Sequence, residues 1–216
     1  MTPGPRTSSS ALGNEEPHGK GRVDEDVRGP RKRLIVGVSG ASGFDYGVRI
    51  LEMLKAAGLE THLVVSRAAM TAMAHESEMT VSGIKALADH TYDNRDIAAP
   101  IASGSFRTGG MIIAPCSAKS LAEIAMGTGG SLIARAADVV LKERRRLVVL
   151  FRETPLHLGH CRNMLHLTEM GGIVMPPVPA FYPRPKSLDE MVVHTAARAL
   201  DLFDLEIPLD GRWKGG

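Results

Sequence analysis

The chain of 216 residues is 44% hydrophobic but only 4% aromatic, which predicts one domain with an aliphatic, methionine-rich core. A net charge of +2 is too small to argue for a nucleic-acid partner, and two distant cysteines, Cys116 and Cys161, neither in a CxxC pair, exclude a disulfide scaffold and a zinc ribbon. No apolar run reaches membrane-spanning length and no apolar segment of secretory type follows the N-terminus, so a soluble, cytoplasmic protein is expected.

Residues 1–31 hold Gly, Pro, Ser and mixed charge with almost no apolar side chains. Such a segment cannot bury enough surface to offset ordering, so a flexible tail is expected there, followed by a single domain over 32–216. From Arg33 the pattern alternates. A strand is predicted over Leu34–Val38 and a helix over Tyr46–Ala57, ended by Gly58 as a C′ residue. A second strand follows at Leu59–Ser66, then helices at Arg67–Glu76 and Ser82–Asp89, with residues 90–108 read as irregular. A buried strand at Gly110–Ala114 leads into helices at Ser117–Met126 and Leu132–Lys142, separated by a glycine-rich break. The remainder reads as a strand at Arg146–Phe151, a helix at Leu158–Met170, a short strand at Ile173–Met175, a proline-rich loop to Pro185 and a last helix at Leu188–Leu205. Short apolar strands alternating with longer helices imply a three-layer, doubly wound α/β fold, a parallel sheet covered on both faces.

Such sheets bind ligands at the carboxyl ends of their strands, and the unusual residues fall there. The run Ser39-Gly40-Ala41-Ser42-Gly43 joins the first strand to its helix. A small-residue turn entering a helix N-terminus offers backbone N–H groups and partial positive charge to a phosphate, and Ser39 and Ser42 add hydroxyls. It is neither GxGxxG nor a Walker loop, and a tight turn needing only small residues would look the same. Ser66 ends the second strand. Cys116-Ser117-Ala118-Lys119-Ser120 is a second polar turn into a helix, readable as a phosphate cradle or as an ordinary cap by Ser117. Arg135 and Lys142, seven residues apart, share a helix face that suits a phosphate or simply faces solvent. Arg152-Glu153 after a buried strand is a candidate acid or base, or a local ion pair. Tyr182 sits in a stiff proline loop. His157, His160 and His166 lack a carboxylate or thiolate pattern around them, so no metal is expected. Trp213 lies in a Gly/Lys-rich end segment, either docked on a neighbour or free.

Taken together, these segments resemble the UbiX/Pad family of flavin prenyltransferases. The resemblance rests on VSGASG at 38–43 with Tyr46-Gly47, PIASGS at 100–105, APCSAKSLAEIAMG at 114–127, LIARAADVVLKERRRLVVLFRETPLH at 132–157, the run at 163–185 and the helix of Arg198. It implies a Rossmann/flavodoxin-like flavoprotein that joins the dimethylallyl group of dimethylallyl phosphate to reduced FMN at N5 and C6. The product, prenylated FMN, serves a separate UbiD-type decarboxylase. It implies no metal, and a dodecamer with sites built at subunit contacts. By position, Gly40, Ala41, Ser42, Ser66, Ser117, Ala118, Lys119, Ser120 and Arg152 would hold FMN. Tyr182 and Arg198 would hold the prenyl phosphate, with Arg135 and Lys142 supplied by an adjacent subunit, and Ala102 to Ser105, Ser103 among them, would line the site near the flavin. Glu76 and Glu153 would handle protons, with Ser42 in the relay. Phe44 and Asp45 depart from the family's pattern, Phe44 standing where a small residue is usual. Two other readings stay open: an FMN-dependent cysteine decarboxylase of similar fold, which would need a histidine near the first glycine turn, and a non-catalytic FMN-binding subunit.

Overall fold

The computed structural model describes residue 1, residues 33–205 and residues 207–208. The expected tail (apart from Met1) and Trp213 lie outside the described residues. Six strands form one parallel sheet: β1 (Arg33–Val38), β2 (Glu60–Val65), β3 (His90–Asp93), β4 (Gly110–Cys116), β5 (Arg146–Phe151) and β6 (Ile173–Val174), in the order β3-β2-β1-β4-β5-β6. The helices are α1 (Phe44–Ala56), α2 (Arg67–Glu76), α3 (Val81–Lys85), α4 (Ala118–Ala125), α5 (Leu132–Lys142), α6 (Leu158–Glu169) and α7 (Leu188–Asp201), with a 3₁₀ turn at Pro100–Ala102.

The strands are apolar on both faces because both are covered. On one face, Leu34, Val36, Val38, Ile112 and Val148 pack against α1, α2, α3 and α7 through residues such as Leu51, Met73, Ile84 and Ala196. On the other, Ile35, Val64, Ile113 and Val149 pack against α4, α5 and α6 through Leu121, Ala137 and Leu167. This is the expected three-layer architecture. The core is aliphatic as predicted but not methionine-rich. Of the methionines, only Met73 and Met111 are buried among the described residues; Met53, Met70, Met79, Met164, Met170 and Met175 sit at its margins. A flexible thioether is used here to fill edges rather than to build the interior.

Three of the departures from expectation have a clear local reason. Helix α1 begins at Phe44, because Gly43 takes a left-handed conformation (φ 95°) that turns the chain directly into the helix. Phe44 is therefore a core residue beneath α1, and Asp45 is exposed in the first turn, where the helix dipole favours a carboxylate. Residues 90–93 form the edge strand β3 rather than irregular chain. Its His-Thr-Tyr-Asp sequence shows no apolar alternation, but Asp89 pins it: Thr61 donates to the Asp89 carboxylate from its N–H (2.8 Å) and its hydroxyl (2.9 Å). Asp89 is thus a strand-start residue, and the short helix ends before it. Helix α7 stops at Asp201 because Arg146 donates to the carbonyl of Leu202 and to Asp204 (2.9 Å), and Asp204 adopts a positive φ of 57°. Among the described residues no helix is long and apolar enough to cross a membrane.

Candidate functional site

Strands β1 and β4 are neighbours at the centre of the sheet, yet the helices that follow them leave to opposite faces. That divergence is the switch point at which doubly wound sheets open a crevice. One wall is the turn from Ser39 to Gly43; the other is Pro115-Cys116-Ser117. The two are fastened together by Ser39, which is buried. Its hydroxyl donates to the carbonyl of Pro115 (3.0 Å) and accepts from the N–H of Ser117 (2.8 Å), while its own N–H also reaches Pro115 O (3.1 Å). Ser39 is therefore an internal fastener and not the ligand donor expected from the sequence. The N–H of Ala41 is likewise spent, on Ser39 O at 2.9 Å.

The glycines in this turn answer to close approach. A Cβ on Gly40 would lie 2.4 Å from the Cβ of Ala68 in α2, and one on Gly47 would lie 2.6 Å from the carbonyl oxygen of Ala114. Gly47 thus lets α1 settle onto β4, and Gly40 lets α2 pass over the turn.

The positive end of α1 carries a carboxylate of the chain itself. Glu76, the last residue of α2, accepts from the N–H of Gly43 (2.8 Å) and of Phe44 (3.3 Å) and from the Ser42 hydroxyl. Partial burial works to raise its pKa, but these hydrogen bonds and the charge of Arg152 outweigh it, and the carboxyl is held below the ordinary range. Arg152 follows β5, anchors its own N–H on Cys116 O (3.0 Å), and passes 3.7 Å from where a Gly43 Cβ would stand. Burial pushes the Tyr46 phenol up, against the opposing pull of Arg152. Ser42, Glu76, Arg152 and Tyr46 therefore form one cluster over the first turn.

A second anion cradle lies across the crevice. Ser117 caps α4, accepting from Ser120 N (3.3 Å), and its hydroxyl donates to Ser120 Oγ (3.2 Å). The first helical acceptor, Ser117 O, takes the N–H of Leu121. The N–H groups of Ala118 and Lys119 precede that bond and have no acceptor within the helix. Lys119 itself points to Glu123 (3.6 Å). Ser66 caps α2 by accepting from Ala69 N at 3.1 Å. Cys116 is fully buried, and desolvation pushes its thiol up to about 12, so it is an inert packing residue.

Glu153 is exposed on the lip after β5, bonded to Thr154 N (3.0 Å), and forms no ion pair with Arg152 among the described residues. Tyr182, in the loop after β6, places its hydroxyl 3.1 Å from His194 Nε2 on α7, the rings meeting edge to face. Arg198 stands one turn further along the same helix, 3.7 Å from Asp201. His194 is a contact that no motif announced; its only trace in the sequence is the four-residue spacing to Arg198.

The other expected residues are elsewhere. Lys142 ends α5, which leads directly into the start of β5, so it lies at the amino end of the sheet, paired with Glu143. Arg135 pairs with Asp138 at 2.7 Å. The loop of Ser103 and Gly104 sits on the same ledge: a Cβ on Gly104 would be 2.7 Å from Lys142 Nζ, and Arg145 donates to the carbonyls of Gly104 and Phe106, both at 2.7 Å. Ala102 is buried and Ser103 bonds Ser105 at 2.9 Å. One chain does not bring this ledge to the crevice. A cleft of about 520 Å³ opens beside β2 and β3, lined by Leu63, Val65, Arg67, Met70, Thr91 and Arg95, but it holds none of the groups gathered at the switch point. His157 accepts from the N–H of Gly159 (3.0 Å) and His160 (3.4 Å) and stacks on His160, so that pair is a helix cap.

A family model described as Flavoprotein matches residues 23–195. A flavin prenyltransferase UbiX from Neisseria meningitidis serogroup B is 54% identical over 184 residues, covering 85% of this chain and 97% of that relative. The chain belongs to the UbiX flavin prenyltransferase family. Another member, from Escherichia coli K12, is 54% identical over 85% of this chain and 99% of its own. Among solved structures, AnUbiX in complex with FMN and dimethylallyl pyrophosphate superposes with a TM-score of 0.83 at 46% identity, covering 87% of this chain and all of that one. A dodecameric FMN-dependent UbiX-like protein from Escherichia coli O157:H7 gives 0.82 at 49% identity, covering 85% of this chain and 99% of its own.

Proposed function

We infer that this family member joins the dimethylallyl group of dimethylallyl phosphate to reduced FMN, at N5 and C6, and so makes prenylated FMN for a UbiD-type decarboxylase. The observation that carries the reading is the meeting of five separate segments at the switch point: the Gly40–Gly43 turn, Ser66, the start of α4, Arg152 and the end of α2 with Glu76. They fit a flavin phosphate and ribityl chain. The N–H groups of Ala118 and Lys119 and the hydroxyl of Ser120 offer donors, and Arg152 offers charge.

When bound, the reduced flavin supplies the electron-rich ring that receives the allylic carbon as its C–O bond breaks. The chain's own residues do the rest. Arg198 and the Tyr182 hydroxyl, braced by His194, hold the prenyl phosphate and stabilise the charge it gains on departure. Arg135 and Lys142 act on that phosphate from a neighbouring copy; Lys142 lies at the other end of its own sheet. The same ledge carries Ala102 and Ser103 to the neighbour's flavin. Such an arrangement needs a homo-oligomer, and we place this chain in a dodecamer like its Escherichia coli relative. Glu76 is held ionised by Gly43, Phe44 and Ser42, so it serves as an acceptor toward the Ser42 hydroxyl rather than as an acid. Glu153, exposed at the lip, takes up a ring proton in this reading.

The test is anaerobic. Protein is mixed with reduced FMN and dimethylallyl phosphate, or in a parallel arm the diphosphate, and the extracted flavin is weighed by mass spectrometry. A gain of one five-carbon unit, abolished in Glu153→Gln, supports the transferase. Unmodified FMN from flavin-loaded protein in both arms refutes it.

A further inference from the structure

We propose that Glu60, His62 and His90 form a binding site for a divalent transition-metal ion of the zinc type, at the amino end of the sheet and remote from the flavin crevice. The trio follows from strand register. Glu60 and His62 are two apart on β2 and share a face, and His90 on β3 is the direct cross-strand partner of His62. Their donor atoms lie within 4.8 Å of one another. Glu60 Oε1 stands 3.2 Å from His62 Nε2 and 3.3 Å from His90 Nε2. Two donors each about 2.0–2.1 Å from a tetrahedral zinc stand about 3.3 Å apart, so both separations match a shared ion.

The surroundings are those of a built site. Arg33 Nε donates to the other carboxylate oxygen, Glu60 Oε2, at 3.0 Å, which aims Oε1 at the two imidazoles and makes the carboxylate a single-oxygen ligand. Arg33 is a charge that opposes a dication here, and its guanidinium lies over the Phe106 ring, 5.0 Å from its centre. His62 is only 2% exposed. Its Nδ1 lies 2.9 Å from the Tyr92 hydroxyl, the outer contact that fixes a ligand's tautomer and leaves Nε2 to the metal. Phe106 closes the site edge-on against the His62 ring at 5.0 Å. The His90 ring lies parallel to His62 at 4.7 Å and its side chain is half exposed, so it is the ligand free to rotate onto an ion and leaves a fourth position toward solvent. Two imidazoles and one carboxylate suit zinc, and cobalt as its spectroscopic substitute, better than magnesium or calcium. None of these residues has a role in the flavin chemistry, so this site stands or falls independently of it.

The experiment uses full-length protein freed of metal by a chelator. Cobalt(II) is titrated in while visible ligand-field bands are recorded, zinc is then added as competitor, and bound metal per chain is counted by mass spectrometry. Expected are tetrahedral-type bands saturating at one cobalt per chain, erased by zinc. His90→Gln, which changes a half-exposed side chain, should weaken binding at least about tenfold, since outer contacts alone are worth about 10–100-fold in such sites. Glu60→Gln should do the same, and His160→Gln, in the other histidine pair, should leave binding unchanged. The absence of cobalt bands, undiminished binding in both His90→Gln and Glu60→Gln, or loss of binding in His160→Gln would each overturn the proposal.

Discussion

Replacing Glu76 by alanine tests whether a side chain from α2 holds the start of α1. Gly43 is the N-cap residue and has no side chain with which to cap, so Glu76 takes that role from 33 residues away, receiving N–H groups at 2.8 and 3.3 Å. Removing an N-cap acceptor costs about 1 kcal/mol, within a range of about 0.5–2. The exposure of Glu76 keeps the expected loss near the middle of that range rather than at its top. For a domain of this size about 1 kcal/mol moves Tm by about 2–4 °C. The pH dependence is the sharper part. The folded pKa of Glu76 lies below its unfolded value, so its stabilisation is present above the unfolded pKa, about 4.3, and is lost as pH falls through the folded value. Thermal melts of wild type and Glu76→Ala, at one fixed protein concentration, should therefore differ by a few degrees at pH 7 and converge in acid. Equal melting at pH 7, or a gap that persists unchanged to low pH, would refute the claim that this carboxylate caps the helix.

Other outcomes follow from the same geometry. Lys142→Ala and Arg198→Ala should each abolish prenyl transfer, but co-expressed together they should regain part of it in mixed oligomers, because one subunit's crevice then meets another's intact ledge; no recovery in verified mixed assemblies would contradict a shared site. Gly47→Ala should destabilise the fold by about 1–3 kcal/mol in urea titration, since its Cβ would sit 2.6 Å from a backbone carbonyl that cannot yield. Native protein should show one alkylatable thiol per chain by mass spectrometry, at the exposed Cys161, with the buried Cys116 reacting only after unfolding.

Much of this fold could be read from residues alone, because a parallel sheet buried on both faces leaves continuous apolar runs that little else produces. Helices α2 and α5 and strand β5 appear at the predicted bounds. Strand β3 was hidden, since an edge strand with polar outward residues carries no periodic signal and is fixed by Asp89 reaching Thr61 across the sequence. The site divides the same way. The glycine turn and the Ser117 cap are local patterns and announce themselves. That Ser39 faces inward, that Glu76 covers the end of α1, and that Tyr182 rests on His194 depend on which loops the sheet order brings together. The resemblance implied roles that spacing could not, such as that of Lys142; the structure adds that Lys142 lies at the amino end of the sheet, away from the switch point.

The hydroxyl of Ser39 has a mechanical consequence. The two lips of the crevice belong to helices on opposite faces of the sheet, α1 on one and α4 on the other, and nothing in a doubly wound design obliges those layers to move together. One buried oxygen, donating to Pro115 and accepting from Ser117, rivets them across the gap. The spacing of the two lips is thereby tied to one small buried side chain. Threonine in that place would keep the rivet but add a methyl group to a fully packed seam, whereas alanine would leave only the backbone bond from Ser39 N–H to Pro115 and strand the N–H of Ser117 without its acceptor.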